Sequence, residues 1–252
     1  NGTLMRTTTS VSNPQTVNQY IDIGRRESGS EARYFVGYMD DVRFSTSAIY
    51  TSSFTVPTSA LGLHQTDPVS VYLPFDSDVN DDSSHGHTVT ASGSATISST
   101  QAKFGGNSLS LNGTNQYLTV PNDSSFQFGS DDFTIEAWVY QTAAAGSDPS
   151  DRHAIVSRMD GSSNRSWNIG TKLVSGEQRL QFGFTTDGSS SSEYTFDCDV
   201  TINTWHHIAV VRSGTNLYGF LNGKAMTPSI AGVGALGSKT IHAGTSDLTV
   251  GH

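Results

Sequence analysis

The sequence predicts an all-β protein, an antiparallel β-sandwich, and three observations carry that prediction. Short apolar runs alternating with polar residues recur along most of the chain. Turn residues separate them: 25 Gly, with Ser, Thr, Asn and Asp gathered between the runs. No window carries a helical stripe, and Ala143-Ala144-Ala145-Gly146 is too short to form a helix. Many short strands joined by turns are the pattern of a sandwich or jelly roll.

In order, the first predicted strand is QYIDIG, with Ile21 and Ile23 on one face and Tyr20 and Asp22 on the other. A loop around Gly29 leads to Tyr34–Thr58. There Tyr38, Val42 and Phe44 are read on one face of a strand, and Met39, Asp41 and Arg43 on the other. SALGLHQTDP, Ser59 to Pro68, has no periodicity and is the expected domain boundary. Val69–Phe75 begins a new apolar run, and an Asp-rich loop follows it. Strands are then expected at His87–Ala91, Ala95–Ile97, Ser108–Leu111, Tyr117–Val120 and Phe133–Tyr140. In FTIEAWVY, Phe133, Ile135, Ala137 and Val139 alternate with Thr134, Glu136, Trp138 and Tyr140. Ala154–Arg158, Ser166–Gly170, Gln178–Phe184, Tyr194–Phe196, Trp205–Arg212 and Asn216–Leu221 complete the series, and Asn222-Gly223 signals a type I′ hairpin turn.

Composition sets bounds on function. A chain of 252 residues holds one large all-β domain or two small ones. Its formal charge is −9 and it has no basic cluster beyond the pair Arg25-Arg26, which excludes a general nucleic-acid role. Cys198 is the only cysteine, so there is no intrachain disulfide; between Asp197 and Asp199 it reads as a small apolar residue and not as a reactive thiol. No apolar run approaches the roughly 18 residues of a membrane span, and membrane insertion is not expected. The chain begins on Asn1-Gly2 without Met and reads as a segment of a longer protein, so the lack of a signal peptide says nothing about location.

Several segments resemble one family in the same order over some 180 residues. LPFDSDVNDDSSHGH, FGGNSLSLNGTNQYLTVP, FTIEAWVY, WHHIAVVRSG and LYGFLNGK resemble the successive strands of a laminin G-like, concanavalin A-like jelly roll. GYMDDVRF resembles the closing strand of the same domain, and YTSSFTVP resembles its variant in bacteriophage tail and fibre proteins. That closing signature stands near the start of the chain. Two stretches also recur: Asn1–Met5 matches Asn222–Met226 at an offset of about 221, and Tyr20–Gly24 matches Leu248–Gly251 at about 227. The expectation is therefore parts of two tandem copies, residues 1–66 finishing one jelly roll and residues 67–252 forming a second without its closing strand. Circular permutation, in which Tyr34–Phe44 closes the domain begun at Val69, and strand exchange with a neighbouring copy are the alternatives.

The resemblance implies structural calcium, bound by Asp from the opening loop and from the closing strand. The candidates are Asp76, Asp78, Asp81 and Asp82 in the loop, with Asp40 and Asp41 in the strand; a solvated acidic loop is the competing reading. His85, His87, His206 and His207 have no partner at zinc spacing and read as ordinary histidines. Trp138 and Trp205 read as core, and Trp167, after a polar loop, as the tryptophan free to meet a ligand. No paired-carboxylate strand and no nucleophile elbow is present, so no catalytic residue is assigned and the protein is not expected to be an enzyme. The expected role is a non-catalytic structural or adhesive module of a repeated extracellular or virion-surface protein. Its partners would be a cell-surface glycan or protein and neighbouring copies of the domain. A carbohydrate-binding module of a secreted bacterial enzyme and a purely structural filament or lattice subunit are the alternatives.

Overall fold

The computed structural model describes residues 20–28, 31–62, 68–146, 152–160, 164–232, 234–244 and 248–250. The recurrence of Asn1–Met5 lies outside them. The first strands are β1 (Tyr20–Ile23), β2 (Arg25–Ser28), β3 (Glu31–Tyr34), β4 (Val36–Ser45) and β5 (Val69–Leu73). Next come β6 (Thr90–Ser92), β7 (Thr96–Ser98), β8 (Ser108–Asn112), β9 (Tyr117–Pro121) and β10 (Phe133–Gln141). The long strands β11 (Arg152–Asp160), β12 (Asn164–Val174) and β13 (Glu177–Thr185) precede β14 (Ser191–Phe196) and β15 (Trp205–Ser213). β16 (Asn216–Leu221), β17 (Lys224–Met226), β18 (Pro228–Ala231) and β19 (Leu248–Val250) follow. One 3-10 turn, Ser124–Phe126, interrupts the strands.

Two sheets face each other. The first runs β18-β14-β13-β12-β11, then β1 and β19, then β9-β6. The second runs β17-β16-β15-β10-β4-β8-β7, with β5 also on β4. Between them the period-two residues of both sheets form one core, including Val42, Phe44, Leu73, Phe133, Ile135, Trp167, Phe182 and Val210. Each fully buried side chain of this kind contributes about 1.5–3 kcal/mol. Asn222 and Gly223, at φ 50° and 75°, make the expected tight turn between β16 and β17.

The position of β4 corrects the expected domain division. It is an inner strand of the second sheet, flanked by β10 on one edge and by β5 and β8 on the other. The described residues before position 63 and those after position 67 thus share one sandwich. The physical reason is hydrogen bonding: without β4, facing edges of β10, β5 and β8 would lie unpaired beside an open core.

The face assignment along β4 also changes. Met39 joins Val42 and Phe44 in the core, while Tyr38, Asp40 and Arg43 pair outward-facing residues of β10. A bulge opposite Ala137 places an extra residue in β4, and Asp41 takes the left-handed conformation there, φ 49°. The inserted residue shifts the alternation by one.

β1 and β19 take the same register. Ile21 and Leu248 both oppose Val120, Ile23 and Val250 both oppose Leu118, and Asp22 and Thr249 both oppose Ser157. A strand has two edges, and β6 and β12 hold the other edges of β9 and β11. β1 and β19 also pair with each other in parallel, Ile21 opposite Leu248. Their shared register against β9 has the same offset, about 227, as the two similar stretches in the sequence.

Candidate functional site

The outer face of the second sheet is covered. The segment after β4 folds back over it, so that Ala48, Tyr50 and Phe54 pack on Ala209, Val211 and Phe220. Tyr50 stacks on Phe54 at 3.6 Å between ring centroids, and the Phe54 N–H donates to the Gly223 carbonyl at 2.8 Å. Beneath this cover Glu136 accepts from Arg43 Nε at 2.9 Å and from the Tyr50 hydroxyl at 3.0 Å, and lies 3.1 Å from His207 Nε2. Burial works against its charge, but His207 and Arg43 outweigh burial and hold the Glu136 carboxyl below its ordinary range. This carboxylate is sealed and fully engaged. It is a structural anchor.

The candidate cation ligands separate into engaged and open groups. Asp81 is buried and accepts from the N–H groups of Tyr72, Ser83 and His87, from the Ser83 hydroxyl, and from His87 Nδ1. Those bonds occupy its oxygens, which corrects its assignment as a calcium ligand. Asp41 is likewise engaged at both oxygens, by the Tyr72 hydroxyl at 2.8 Å and the Leu61 N–H at 3.0 Å. Asp78 accepts from Asn80 N–H in its own exposed turn, and Asp82 is exposed beside it. Asp40 differs. Its Oδ2 accepts from the N–H groups of Lys103 and Phe104, whereas its buried Oδ1 has no partner.

Burial, with the nearby charges of Asp41 and Asp76, pushes the Asp40 carboxyl up to about 7. Asp76 is held beside Gly105, where a Cβ would collide with its carboxylate; Gly105, at φ 54°, supplies both the room and the turn. The closing strand and the opening loop therefore meet within this one chain. Of the six expected ligands, the orphaned oxygen of Asp40 and the neighbouring Asp76 are the pair whose chemistry fits a hard cation.

The outer face of the first sheet is open and forms a cleft of about 650 Å³. Its floor consists of residues that alternate with the core: Asn168 lies between Trp167 and Ile169, and Gln181 between Leu180 and Phe182. Gly183 opposes Asn168 in register and leaves room for its side chain. The β2–β3 hairpin packs along β11 and brings Arg26 and Arg33, directly paired across it, to one wall. Ser191 to Glu193 and Ala231-Gly232 line the other side.

Two features mark this cleft chemically. Arg26, Arg33, Arg152 and Lys172 line it against the single carboxylate of Glu193 among the described residues. Arg152 and Lys172 both pair with Glu193 and, against the cost of burial, hold its carboxyl below the ordinary range. Arg26 is 6% exposed, and burial together with the charges of Arg152, Arg33 and Arg165 brings its guanidinium down to about 9. Polar atoms on the floor and walls also lack partners: Arg26 Nε and Nη1, Asn168 Oδ1, both ends of the Gln181 amide, and Ser192 Oγ. Such buried atoms cost about 1–3 kcal/mol each when left unmet. The arrangement can accept a ligand that is polar and carries negative charge.

The fold is an antiparallel β-sandwich with an open polar cleft on one outer face. A family model described as the concanavalin A-like lectin/glucanases superfamily matches residues 112–252, more than half of the chain, and the chain belongs to that family. Comparison with curated proteins and with solved structures gives no match.

The expected ligand tryptophan is corrected. Trp167 is fully buried in the core, stacked on Phe128 at 5.1 Å and edge-on to Phe44 at 6.2 Å, with Nε1 toward the Phe126 carbonyl. It falls on the inward phase of β12, and the polar loop before it does not change that phase. Trp138 is buried on the opposite face from the core, under Phe104 and Lys103, whose Nζ lies 4.0 Å from the ring centre. Trp205 is half-buried beside Tyr140.

Proposed function

We propose that this domain is a non-catalytic binding module that holds a negatively charged glycan in the cleft on the outer face of the first sheet. The observation that supports this reading is the cleft itself. Partnerless amide, hydroxyl and guanidinium atoms line it, under an excess of cations, in a chain whose net charge is −9. Sugar hydroxyls satisfy amides such as Asn168 and Gln181, and a carboxylate or sulfate complements Arg26.

A hydrolytic role is disfavoured by the same lining, because glycoside hydrolysis generally uses two carboxyl groups and Glu193, tied to Arg152 and Lys172, is the only one lining the cleft among the described residues. Calcium at Asp40 and Asp76 would be structural. The setting we propose is a repeated extracellular or virion-surface fibre. It rests on the resemblance of Tyr50–Pro57 and on the shared register of β1 and β19 against β9.

A glycan array probed with the intact chain tests the reading. Signal confined to uronate-bearing or sulfated glycans, weakened by salt, is the expected result. Signal on neutral glycans alone, or on none, would overturn it; the second result would favour a purely structural domain.

A further inference from the structure

A second constellation lies outside the cleft. His85, His87 and Asp123 each offer a ligand atom, and these atoms lie within 4.8 Å of one another. Asp123 is 36 positions from His87 in sequence, which is why spacing along the chain gave no sign of the group. Gly86, at φ 57°, turns the chain between the two histidines, and their rings stack with centroids 5.3 Å apart. Asp123 comes from the residue that caps the 3-10 turn after β9; its Oδ1 accepts from the Ser125 N–H at 2.8 Å.

The orientation of His87 is what makes this more than a surface cluster. Its Nδ1 lies 2.7 Å from Asp81 Oδ2. Asp81 is buried and already accepts at both oxygens from backbone N–H groups, at Oδ1 from Tyr72 and Ser83 and at Oδ2 from His87, so it faces the ring as an acceptor. In the neutral imidazole this hydrogen bond assigns the proton to Nδ1 and the lone pair to Nε2. That nitrogen is the one turned toward Asp123, 3.9 Å from its Oδ1. A buried carboxylate fixing the tautomer of an imidazole, with the other ring nitrogen presented to a third group, is the outer-shell arrangement of zinc-binding histidines. Tetrahedral bonds of about 2.0–2.1 Å place ligand atoms roughly 3.3 Å apart. A modest closure of the exposed His85 and of Asp123 around the fixed His87 reaches that spacing.

We infer that His85, His87 and Asp123 bind one divalent transition-metal ion of the zinc type, with Asp81 positioning His87 and water completing the coordination. Two imidazoles and one carboxylate suit zinc and not calcium, which takes oxygen ligands. Among the described residues no other group of three such side chains converges in this way. None of the three lines the cleft, so this inference stands or falls apart from the glycan reading.

The test is calorimetric titration of the intact chain with zinc alone, repeated with His85→Ala, Asp123→Asn and Cys198→Ser. Asn at 123 keeps an oxygen for the Ser125 cap, and His85 is exposed, so thermal melting of both variants without zinc should match wild type. The expected result is one zinc per chain, unchanged by Cys198→Ser and by millimolar calcium, and weakened about tenfold or more by each of the other two substitutions. No zinc uptake, uptake lost with Cys198→Ser, or full affinity in either His85→Ala or Asp123→Asn would overturn the assignment.

Discussion

The two outer faces of the sandwich both bury polar and charged side chains, and they treat them in opposite ways. On the covered face Glu136 has three partners, and the segment bearing Tyr50 and Phe54 closes over it. Trp138 Nε1, Trp205 Nε1, His207 Nδ1 and Asp40 Oδ1 are the exceptions on that side of the sheet. On the open face Arg26, Asn168, Gln181 and Ser192 stand close together with atoms unmet. The lesson is that burial alone does not mark a site. A fully engaged charge is part of the scaffold, whereas a cluster of unengaged donors and acceptors in a cleft costs stability that a ligand can recover.

Substitutions on the two faces should therefore separate stability from binding. Glu136→Ala leaves Arg43 and His207 buried without their carboxylate, and should cost about 3–5 kcal/mol in urea unfolding. A loss below about 1 kcal/mol would mean that the covered network is not the anchor described here. Phe54→Ala removes the ring that fastens the cover; as a half-buried residue it should cost about 2 kcal/mol, less than a core phenylalanine. Arg26→Met, on the open face, should leave stability within about 0.5 kcal/mol of wild type or raise it, because it deletes a buried charge crowded by Arg152, Arg33 and Arg165. The same change should weaken an acidic glycan at least about tenfold.

A separate, pH-dependent effect concerns Asp40, whose Oδ1 is unmet within the closing strand. Its carboxyl is raised to about 7, so the folded state holds the proton more tightly than the unfolded state does. Its contribution to stability is full below the ordinary carboxylate range, near 4, and is lost as pH rises to about 7, by at most about 1.4 kcal/mol for each pH unit. Asp40→Asn should remove that slope. Calcium added at pH 7.5 should raise the melting temperature of wild type and not of the variant; no shift in wild type would count against the Asp40–Asp76 pair.

Much of the scaffold was legible in the sequence because strand alternation is local. FTIEAWVY gave the inward residues of β10, and Asn222-Gly223 gave the turn after β16. β4 was misphased because a bulge at Asp41 adds one residue, and period-two reading has no sign for that insertion. Its partners were misassigned because the order of strands along the chain does not say which edge a strand fills. The open face was harder still. Arg26, Lys172, Gln181 and Glu193 come from four strands and meet only after folding. The local trace of the floor was a polar residue at an outward position inside an apolar run, as with Gln181 in LQFGF. Trp167 drew attention because it follows a polar loop, yet its phase in β12 already pointed inward.

The proposed glycan ligand occupies the open face and not the covered one. Hydrogen–deuterium exchange of the intact chain, with and without an acidic oligosaccharide selected on the glycan array, tests it most directly. Slowed exchange in β12, β13 and β14 around Asn168, Gln181 and Ser192, with no change in residues 46–62, is the expected result. Protection centred on the Tyr50–Phe54 segment, or none in those three strands while binding persists, would contradict it.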